Sequence, residues 1–561
     1  MEFLDARRLT GPSLLADGPG AILDIACTPA EADALVPVWE QQVSTMLSAL
    51  DWPIPEFTHH KLSGGISLFF PMRLDALYAA SEINEWAYAA IDAELNGADA
   101  PNFDATVETI RASAAEEANP ELLALEAAAN RKQTTFLWDD DEASLGLGRG
   151  ATTWPVRTLP DASLVEWGGH TDVPIGLVTG TNGKTTTVRL ATNILRAADK
   201  NVGLSSTDWI AVNDHILDRG DWSGPGGARA VLRQNNVDVA ILESARGGLL
   251  RRGLGVNKAD ASLITNIAED HLGDFGSQSL RELMDIKWIV SRAVREDGKL
   301  ILNADDELLV DKSTSYSGRV VWFSLDVANP IVNAHCENGG EAYVLDDGHL
   351  VHRSGGDATL ICKAAEIPIT LGGAAKHNVA NALAAAALTA ALGTPVDTIA
   401  EGLRTMSQDD NPGRCNVYDV DGCKVLVDFA HNPHAMAALF DMAEALPAQR
   451  RVLCFGQAGD RPDRAIQELA RDAWSIGLDH VIVSELEAYH RGREHGEVFG
   501  VIRDELVSRG AREDQIGHFD EETESLAAAL DWAEPGDLII MLALGGALPI
   551  QQALEARGAT S

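Results

Sequence analysis

From residue 171 onward, short apolar runs rich in β-branched residues alternate with stretches whose apolar positions recur every three or four residues. "PIGLVTG", "VDVAILE", "ASLITNI" and "KLILNAD" have the length and flanking turns of buried strands. Helical patterns lie between them, and this alternation predicts a parallel sheet covered by helices. Residues 318–371 change the rhythm. "VLDDGHLVHRSGGDATLI" carries shorter strands and Gly/Asp turns and reads as a small antiparallel insertion. The helical "HNVANALAAAALTAALG" follows, and the polar "SQDDNPGRCN" places a linker near 406–416. Beyond it "KVLVDFA", "RVLCFG", "HVIVSEL" and "DLIIMLALGG" resume the alternation and predict a second α/β domain. Residues 1–170 are different in kind. Acidic, alanine-rich helical stretches ("ALYAASEINEWAYAAIDAEL", "NPELLALEAAANR") are followed by a loop-like "WDDDEASLGLGRGATTWP".

The chain of 561 residues has room for three or four domains. Its 84 acidic and 44 basic residues give a net charge of −40, which argues against a nucleic-acid partner, because phosphate backbones require a basic stripe. The same charge favours cationic substrates. The N-terminus has no basic-then-apolar signal pattern and no apolar run reaches about 18 residues, so no membrane association and a cytoplasmic location are expected. Cys27, Cys336, Cys362, Cys415, Cys423 and Cys454 are scattered, without C-x-x-C pairs or a Cys/His cluster of zinc spacing, and read as reduced thiols. His59 and His60 are adjacent, which puts them on different faces of most elements and makes them surface histidines.

The chemistry is concentrated at strand ends. "GLVTGTNGKTTTVRL" is an apolar strand, a glycine-bracketed turn and a helical pattern in succession. Gly180 and Gly183 let the backbone turn tightly and aim N–H groups at phosphate oxygens, and the following helix start adds its dipole. Lys184 reaches the outer phosphates and Thr185 holds Mg²⁺ in such a loop, although G-T-N-G-K-T is two residues shorter between its glycines than G-x-x-x-x-G-K-[ST]. Glu243 ends "VDVAILE", Asp270 and His271 follow "SLITNIAE", and Asn303, Asp305 and Asp306 follow "KLIL". Each alone is a turn former or cap. Together they put metal-competent side chains along the edge that carries the phosphate turn. In "SQSLRELMDIKWIVSRAV", Lys287 falls on the apolar stripe Leu280, Leu283, Val290, Val294, which fits either a snorkelling lysine or a functional one.

"GTNGKTTT", the strand-end glutamate, "TNIAEDHLGDFG", a helical lysine sixteen residues beyond the histidine, "LNADD", "HNVANALAA" and "DFAHNP" together resemble the Mur ligase superfamily, which includes the folylpolyglutamate synthetases. The resemblance implies an ATP-dependent amide ligase. Its fold would be an α/β P-loop central domain with a parallel sheet over 171–405 and a C-terminal Rossmann-like α/β domain over 406–561. An α+β N-terminal domain over 1–170 would bind the acceptor or a partner. It further implies that Gly180, Thr181, Asn182, Gly183, Lys184, Thr185 and Thr186 bind ATP and Mg²⁺, and that Thr185, Glu243, His271 and Lys287 serve the metal ions. Lys287 matches the lysine that many members carbamylate. Asn378 and Asn381 match an asparagine motif near the adenine, and Arg414, Asp428 and His431 match groups that close over ATP.

"LESARGGLLRRGLG", "CFGQAGDRPD" and "RGREHGEV" resemble most closely the Mur-type half of the cyanophycin synthetase branch, over about 171–561. In that branch an ATP-grasp domain stands between the N-terminal part and this half. Here about thirty residues separate "SLGLG" from the phosphate-loop strand, so that domain is expected to be missing. The remaining site would activate a carboxylate as an acyl phosphate and join it to an amino acid amine, with arginine or lysine going onto an aspartate side chain. Lys184, His271, Lys287 and Arg246 would carry the chemistry, and Arg246, Arg461, Asp463, Arg491 and Arg493 would hold the substrates. Expected partners are an amino acid, a carboxylate-bearing peptide or small-molecule acceptor, a separate ATP-grasp ligase and a second copy of the chain. A folylpolyglutamate- or cell-wall-type ligase, and a noncatalytic P-loop ATPase or assembly subunit, remain as alternatives.

Overall fold

The strand Ile175–Thr179 is buried along its whole length and lies inside an eleven-stranded sheet, as its unbroken apolar character requires. The computed structural model describes residues 1–97, 99–270 and 278–560. Parallel pairing joins, in spatial order, Val202–Ser205, Val239–Glu243, Ile175–Thr179, Ala259–Ile264, Val294–Asn303, Arg319–Ser324 and Glu341–Asp346. Antiparallel strands extend both edges: Trp209–Val212 and His215–Arg219 on one side, His349–Ser354 and Asp357–Lys363 on the other.

Helices cover both faces. Lys184–Ala197, Lys376–Ala391 and Val396–Thr405 bury one face around Val178, Leu263 and Ile301. The alanines of Lys376–Ala391 let that helix lie close under the strands, and a Cβ at Gly402 would come within 2.4 Å of the Ile194 Cα. The other face packs Leu177, Leu242 and Leu300 against Pro225–Leu232, Arg246–Arg252 and Leu280–Lys287.

A six-stranded sheet follows, in the order Asn416–Val420, Cys423–Asp428, Leu538–Leu542, Arg451–Phe455, His480–Ser484, Ile516–Phe519, parallel except for its first pair. The N-terminal residues form a four-stranded antiparallel sheet under the helices Pro29–Ala49 and Leu77–Asn96. There the buried Trp39 Nε1–H donates to the Asn84 side chain at 2.9 Å. His59 and His60 sit on its strand Thr58–Leu62, exposed and half-buried respectively.

Two local expectations change. Residues 318–371 are no separate insertion. The helix Pro330–Glu337 is a crossover that lets Arg319–Ser324 and Glu341–Asp346 pair in parallel, and only the last two strands run antiparallel, as an extension of the same sheet. "WDDDEASLGLGRGATTWP" is largely strand: Phe136–Trp138, Glu142–Leu145 and Thr152–Pro155 form a small antiparallel sheet. The segment near 406–416 is pinned, with Asn411 wholly buried and accepting from Arg189 Nη1 at 3.1 Å.

The N-terminal part docks through arginines. Arg7 pairs with Asp24 and reaches the Leu250 carbonyl at 2.9 Å, and Arg229 Nη2 donates to the Thr10 hydroxyl at 2.8 Å. Arg233, 7% exposed, pairs with Asp139 and donates to the Glu142 carbonyl at 2.8 Å. Arg233→Ala is expected to cost about 1–3 kcal/mol through these charge-assisted bonds. Hydrogen exchange should accelerate over residues 136–155 and stay unchanged in the six-stranded sheet. Unchanged exchange over 136–155 would show that the small sheet docks without this arginine.

Candidate active site

The carboxyl ends of the central parallel strands open into a cleft of about 1430 Å³, closed on its far side by the six-stranded domain. The turn after Ile175–Thr179 is held by the turn after Ala259–Ile264. Thr181 N–H donates to the Asn266 carbonyl at 2.9 Å, Asn182 N–H to the Asn266 side chain at 2.9 Å, and Thr265 Oγ1 to the Asn182 carbonyl at 2.6 Å. Gly183 has φ +84°, and a Cβ there would come within 2.2 Å of Asn381 Oδ1. At Gly180 a Cβ would lie 1.9 Å from Thr265 Oγ1. Both glycines are therefore required by close approach. The loop leads straight into the helix Lys184–Ala197, whose first N–H groups have no intrahelical acceptors. Such a turn fits a polyphosphate. The Lys184 ammonium folds back onto the Thr181 carbonyl at 2.9 Å.

A hard-cation donor set stands beside it. Thr185 Oγ1 donates to Glu243 at 2.9 Å, and Thr207 Oγ1 donates to the other carboxylate oxygen at 2.8 Å. Glu243 is 2% exposed. A buried carboxylate flanked by hydroxyls is chemically suited to Mg²⁺. His271 lies outside the described residues.

Lys287 ends the helix Leu280–Lys287 and points inward rather than snorkelling. Its amine donates to the Gly180 carbonyl at 2.8 Å. Burial, then the nearby Lys184 charge, pulls its pKa well below the usual lysine range. Asp306 caps the helix Glu307–Ser313 and accepts from Ile267 N–H at 2.6 Å, while Asp305 accepts from Leu325 N–H at 2.8 Å and Asn303 donates to the Thr265 carbonyl at 3.0 Å. Those three line the cleft but are occupied in shaping its loops.

Asn381 donates to Asn378, which itself donates to the Ile369 carbonyl at 2.8 Å. From the C-terminal domain, Asp428 accepts from Cys415 N–H at 2.8 Å and Ala430 N–H at 2.7 Å, and Arg414 lies 4.6 Å over the Phe429 ring. His431 and Arg461 approach Asp270 at 3.8 and 3.9 Å across the cleft, and burial lowers the His431 pKa. Arg246 and Arg491 also line the cleft, Arg491 paired there with Asp460. Arg493 instead pairs with Asp463 at 2.7 Å and donates to the Gly459 and Arg461 carbonyls, so these two brace the segment that carries Arg461.

Several residues escape sequence reasoning. Arg189, one helical turn past the phosphate turn, bonds Asp208 and Asn411 and stacks 4.2 Å from the Trp209 ring, and burial pushes its pKa down to about 10. Asn182 contacts Asn432 at 3.2 Å and His434 at 2.9 Å, which couples the two domains directly. His377 meets Cys415 at 3.1 Å in the cleft wall. The run "DFAHNP" includes Asn432, but nothing in it names Asn182 as its partner.

Residues 178–389 match the Mur ligase middle domain and residues 413–545 the Mur ligase, glutamate ligase domain. A cyanophycin synthetase of Crocosphaera subtropica is 36% identical over 371 residues, 66% of this chain and 42% of that protein. The chain thus spans less than half the length of the cyanophycin synthetases it matches. A UDP-N-acetylmuramoyl-L-alanyl-D-glutamate–2,6-diaminopimelate ligase of Bacillus cereus is 26% identical, over 66% of this chain and 72% of that one. Among solved structures, a bifunctional folylpolyglutamate synthase/dihydrofolate synthase with Mn, AMPPNP and L-glutamate bound shares the fold. Its TM-score is 0.50 at 21% identity, over 68% of this chain and 89% of that one.

The close approach of Gly183 and Asn381 is testable. Gly183→Ala is expected to destabilise by about 1–3 kcal/mol, from left-handed backbone strain and the clash together. The clash part should return in an Asn381→Ala background, read as non-additivity of melting temperatures in a double-mutant cycle. Additive shifts would mean the two residues do not press on one another.

Proposed function

We propose that this chain, a member of the Mur ligase family through its middle and glutamate-ligase domains, is an ATP-dependent carboxylate–amine ligase that places a basic amino acid on an aspartate-type carboxylate. The observation that carries this reading is the cleft itself. A phosphate-binding turn and a hydroxyl–carboxylate pair on one domain face arginine and histidine side chains on the other.

A carboxylate resists amine attack because its charge is delocalised and its leaving group would be oxide. In the proposed reaction a carboxylate oxygen attacks the γ-phosphorus, the bond to ADP breaks, and an acyl phosphate forms. The amine then attacks the acyl carbon, the tetrahedral adduct loses phosphate, and the new amide nitrogen gives up its extra proton. The N–H groups at the start of the helix Lys184–Ala197 and the Lys184 ammonium hold the transferring phosphoryl oxygens. Thr185 and Glu243 would hold Mg²⁺, which when bound neutralises phosphate charge. Arg246 orients the acceptor carboxylate. Arg461 and Arg491 hold the α-carboxylate of the incoming amino acid, with Arg493 and Asp463 as their braces. Glu269 lines the cleft and suits a cationic side chain, which favours arginine or lysine, whereas Asp460 and Glu468 there pair with Arg491 and Arg464.

Lys287 enters as a carbamate. A buried, uncharged amine adds CO₂ and releases one proton, turning a potential cation beside Glu243 into an anion that joins the metal-binding set. Lys287→Ala is expected to lose about a hundredfold or more in turnover. Short-chain carboxylic acids should restore part of it, and bicarbonate should stimulate the unmodified protein alone. Near-normal turnover of Lys287→Ala without additives would reduce the lysine to a packing residue.

The substrate assignment is tested by supplying the protein with ATP, Mg²⁺, arginine or lysine, and either free aspartate or an aspartate-rich peptide. Phosphate release with label appearing on the peptide is expected, and none from a folded Lys184→Ala control. Polymer growth from free aspartate and arginine by this chain alone would overturn the reading. ATP hydrolysis independent of any amino acid would favour a noncatalytic assembly subunit.

A further inference from the structure

A second cluster of ligand-type side chains lies at the outer end of the six-stranded sheet. Glu485 directly follows the strand His480–Ser484. His518 stands on the neighbouring strand Ile516–Phe519, in register with Val483. His490 and His495 come from the loop that leads into the helix Glu497–Ser508, and Asp520 follows the outer strand. One ligand atom each from Glu485, His495 and His518 lie within 4.8 Å of one another. His518 Nε2 is 2.8 Å from one Glu485 oxygen and His490 Nε2 is 3.1 Å from the other. Asp520 holds His495 Nε2 at 2.8 Å.

Hydrogen bonding alone is a weak reason for this gathering. Glu485 is only 6% exposed and already accepts from Gly496 N–H at 3.0 Å. The His495 ring centroid lies 5.7 Å from that of His518 and 6.2 Å from that of His490, so a His495 cation, which Asp520 and Glu485 favour, would stand beside two further imidazoles. A divalent ion resolves both features, because it takes neutral imidazoles and an ionised carboxylate. Mixed imidazole and carboxylate donors suit zinc-type ions rather than Mg²⁺ or Ca²⁺. Around a tetrahedral zinc the ligand atoms stand about 3.4 Å apart, so closure from the present spacing asks for shifts of about an ångström. The surroundings are those of a supported site: Phe499 stacks on His518 with centroids 3.9 Å apart, and Asp520 on one His495 nitrogen is the usual outer partner of a metal-bound imidazole.

We propose that Glu485, His495 and His518 bind a divalent transition ion of the zinc type, with His490 and Asp520 orienting the ligands from outside. The ion is structural. It ties two strand ends to the loop that delivers Tyr489 and Arg491 to the cleft and that braces Arg461 through Arg493.

The test uses the full chain, stripped with a chelator and titrated with Zn²⁺ by calorimetry, then with Co²⁺ followed by its visible d–d bands. The expected result is one more equivalent bound by the unmodified protein than by His495→Ala/His518→Ala, with tetrahedral-type Co²⁺ bands present only in the former. His495 is largely exposed, so His495→Ala alone guards against a folding defect. It should bind that equivalent at least tenfold more weakly while keeping its circular dichroism. Zinc should also raise the melting temperature of the unmodified chain more than that of the variant. Equal uptake and equal Co²⁺ spectra in the unmodified protein and folded His495→Ala would overturn the proposal and leave a hydrogen-bonded histidine cluster.

Discussion

Parallel strands cannot be joined by tight turns, so Ile175–Thr179, Val239–Glu243, Ala259–Ile264, Val294–Asn303 and Arg319–Ser324 each hand the chain to a crossover at the same edge. That single constraint brings Gly180, Glu243, Thr265 and Asn303 into one row, although they are widely separated in sequence. The row is self-locking. Thr181, Asn182, Thr265 and Asn266 exchange hydrogen bonds between two adjacent turns, and the Lys287 amine seals the Gly180 carbonyl from below. That lock also fixes the start of the helix Lys184–Ala197, whose first N–H groups face the cleft. Here the neighbouring turn, rather than the turn's own residues, makes it rigid.

The second constraint is the seam between the two α/β domains. Arg189 is buried, and a buried guanidinium is costly unless it is paired. Asp208 and the Asn411 and Pro412 oxygens take its two terminal nitrogens, while Nε has no partner, so the helix Lys184–Ala197 is also the anchor of the inter-domain segment. The Asn182–Asn432 and Asn182–His434 contacts add a direct latch at the cleft floor. Movement of the C-terminal domain would therefore be felt at the phosphate turn within a single side chain. Charge is arranged along the same line, with Lys184, Arg246, Lys287 and Asp270 on one wall and His431 and Arg461 facing Asp270 from the other.

Much of this was legible in the residues. The β-branched runs, the glycine-bracketed turn, the strand-end Glu243 and the resumption of alternation after 416 are local signals, because burial on both faces of a strand and positive φ at Gly183 are written in the residues that experience them. Lys287 was visible as an anomaly on an apolar stripe. Which way its amine turns was not, because the acceptor is the Gly180 carbonyl, contributed by a strand end remote in sequence. Residues 318–371 were misread for a related reason. Gly/Asp turns advertise hairpins, whereas the parallel pairing of Arg319–Ser324 with its neighbours depends on a register set across the sheet.

Sequence alone, then, determined which groups this protein carries: the glycine-bracketed turn, the Thr185 hydroxyl and Glu243 carboxylate beside it, the cationic residues of the C-terminal motifs and the acidic overall charge. Tertiary structure decided which of those groups meet. It put Arg461 and Arg491 into the cleft while pairing Arg493 with Asp463, made Arg189 the inter-domain anchor, and gathered Glu485, His490, His495 and His518 from two strand ends and a loop. The physical reason is that residue type and local periodicity fix what a side chain can do and which face it takes. Its partners, by contrast, are set by sheet order and register, which are properties of strands distant in the chain.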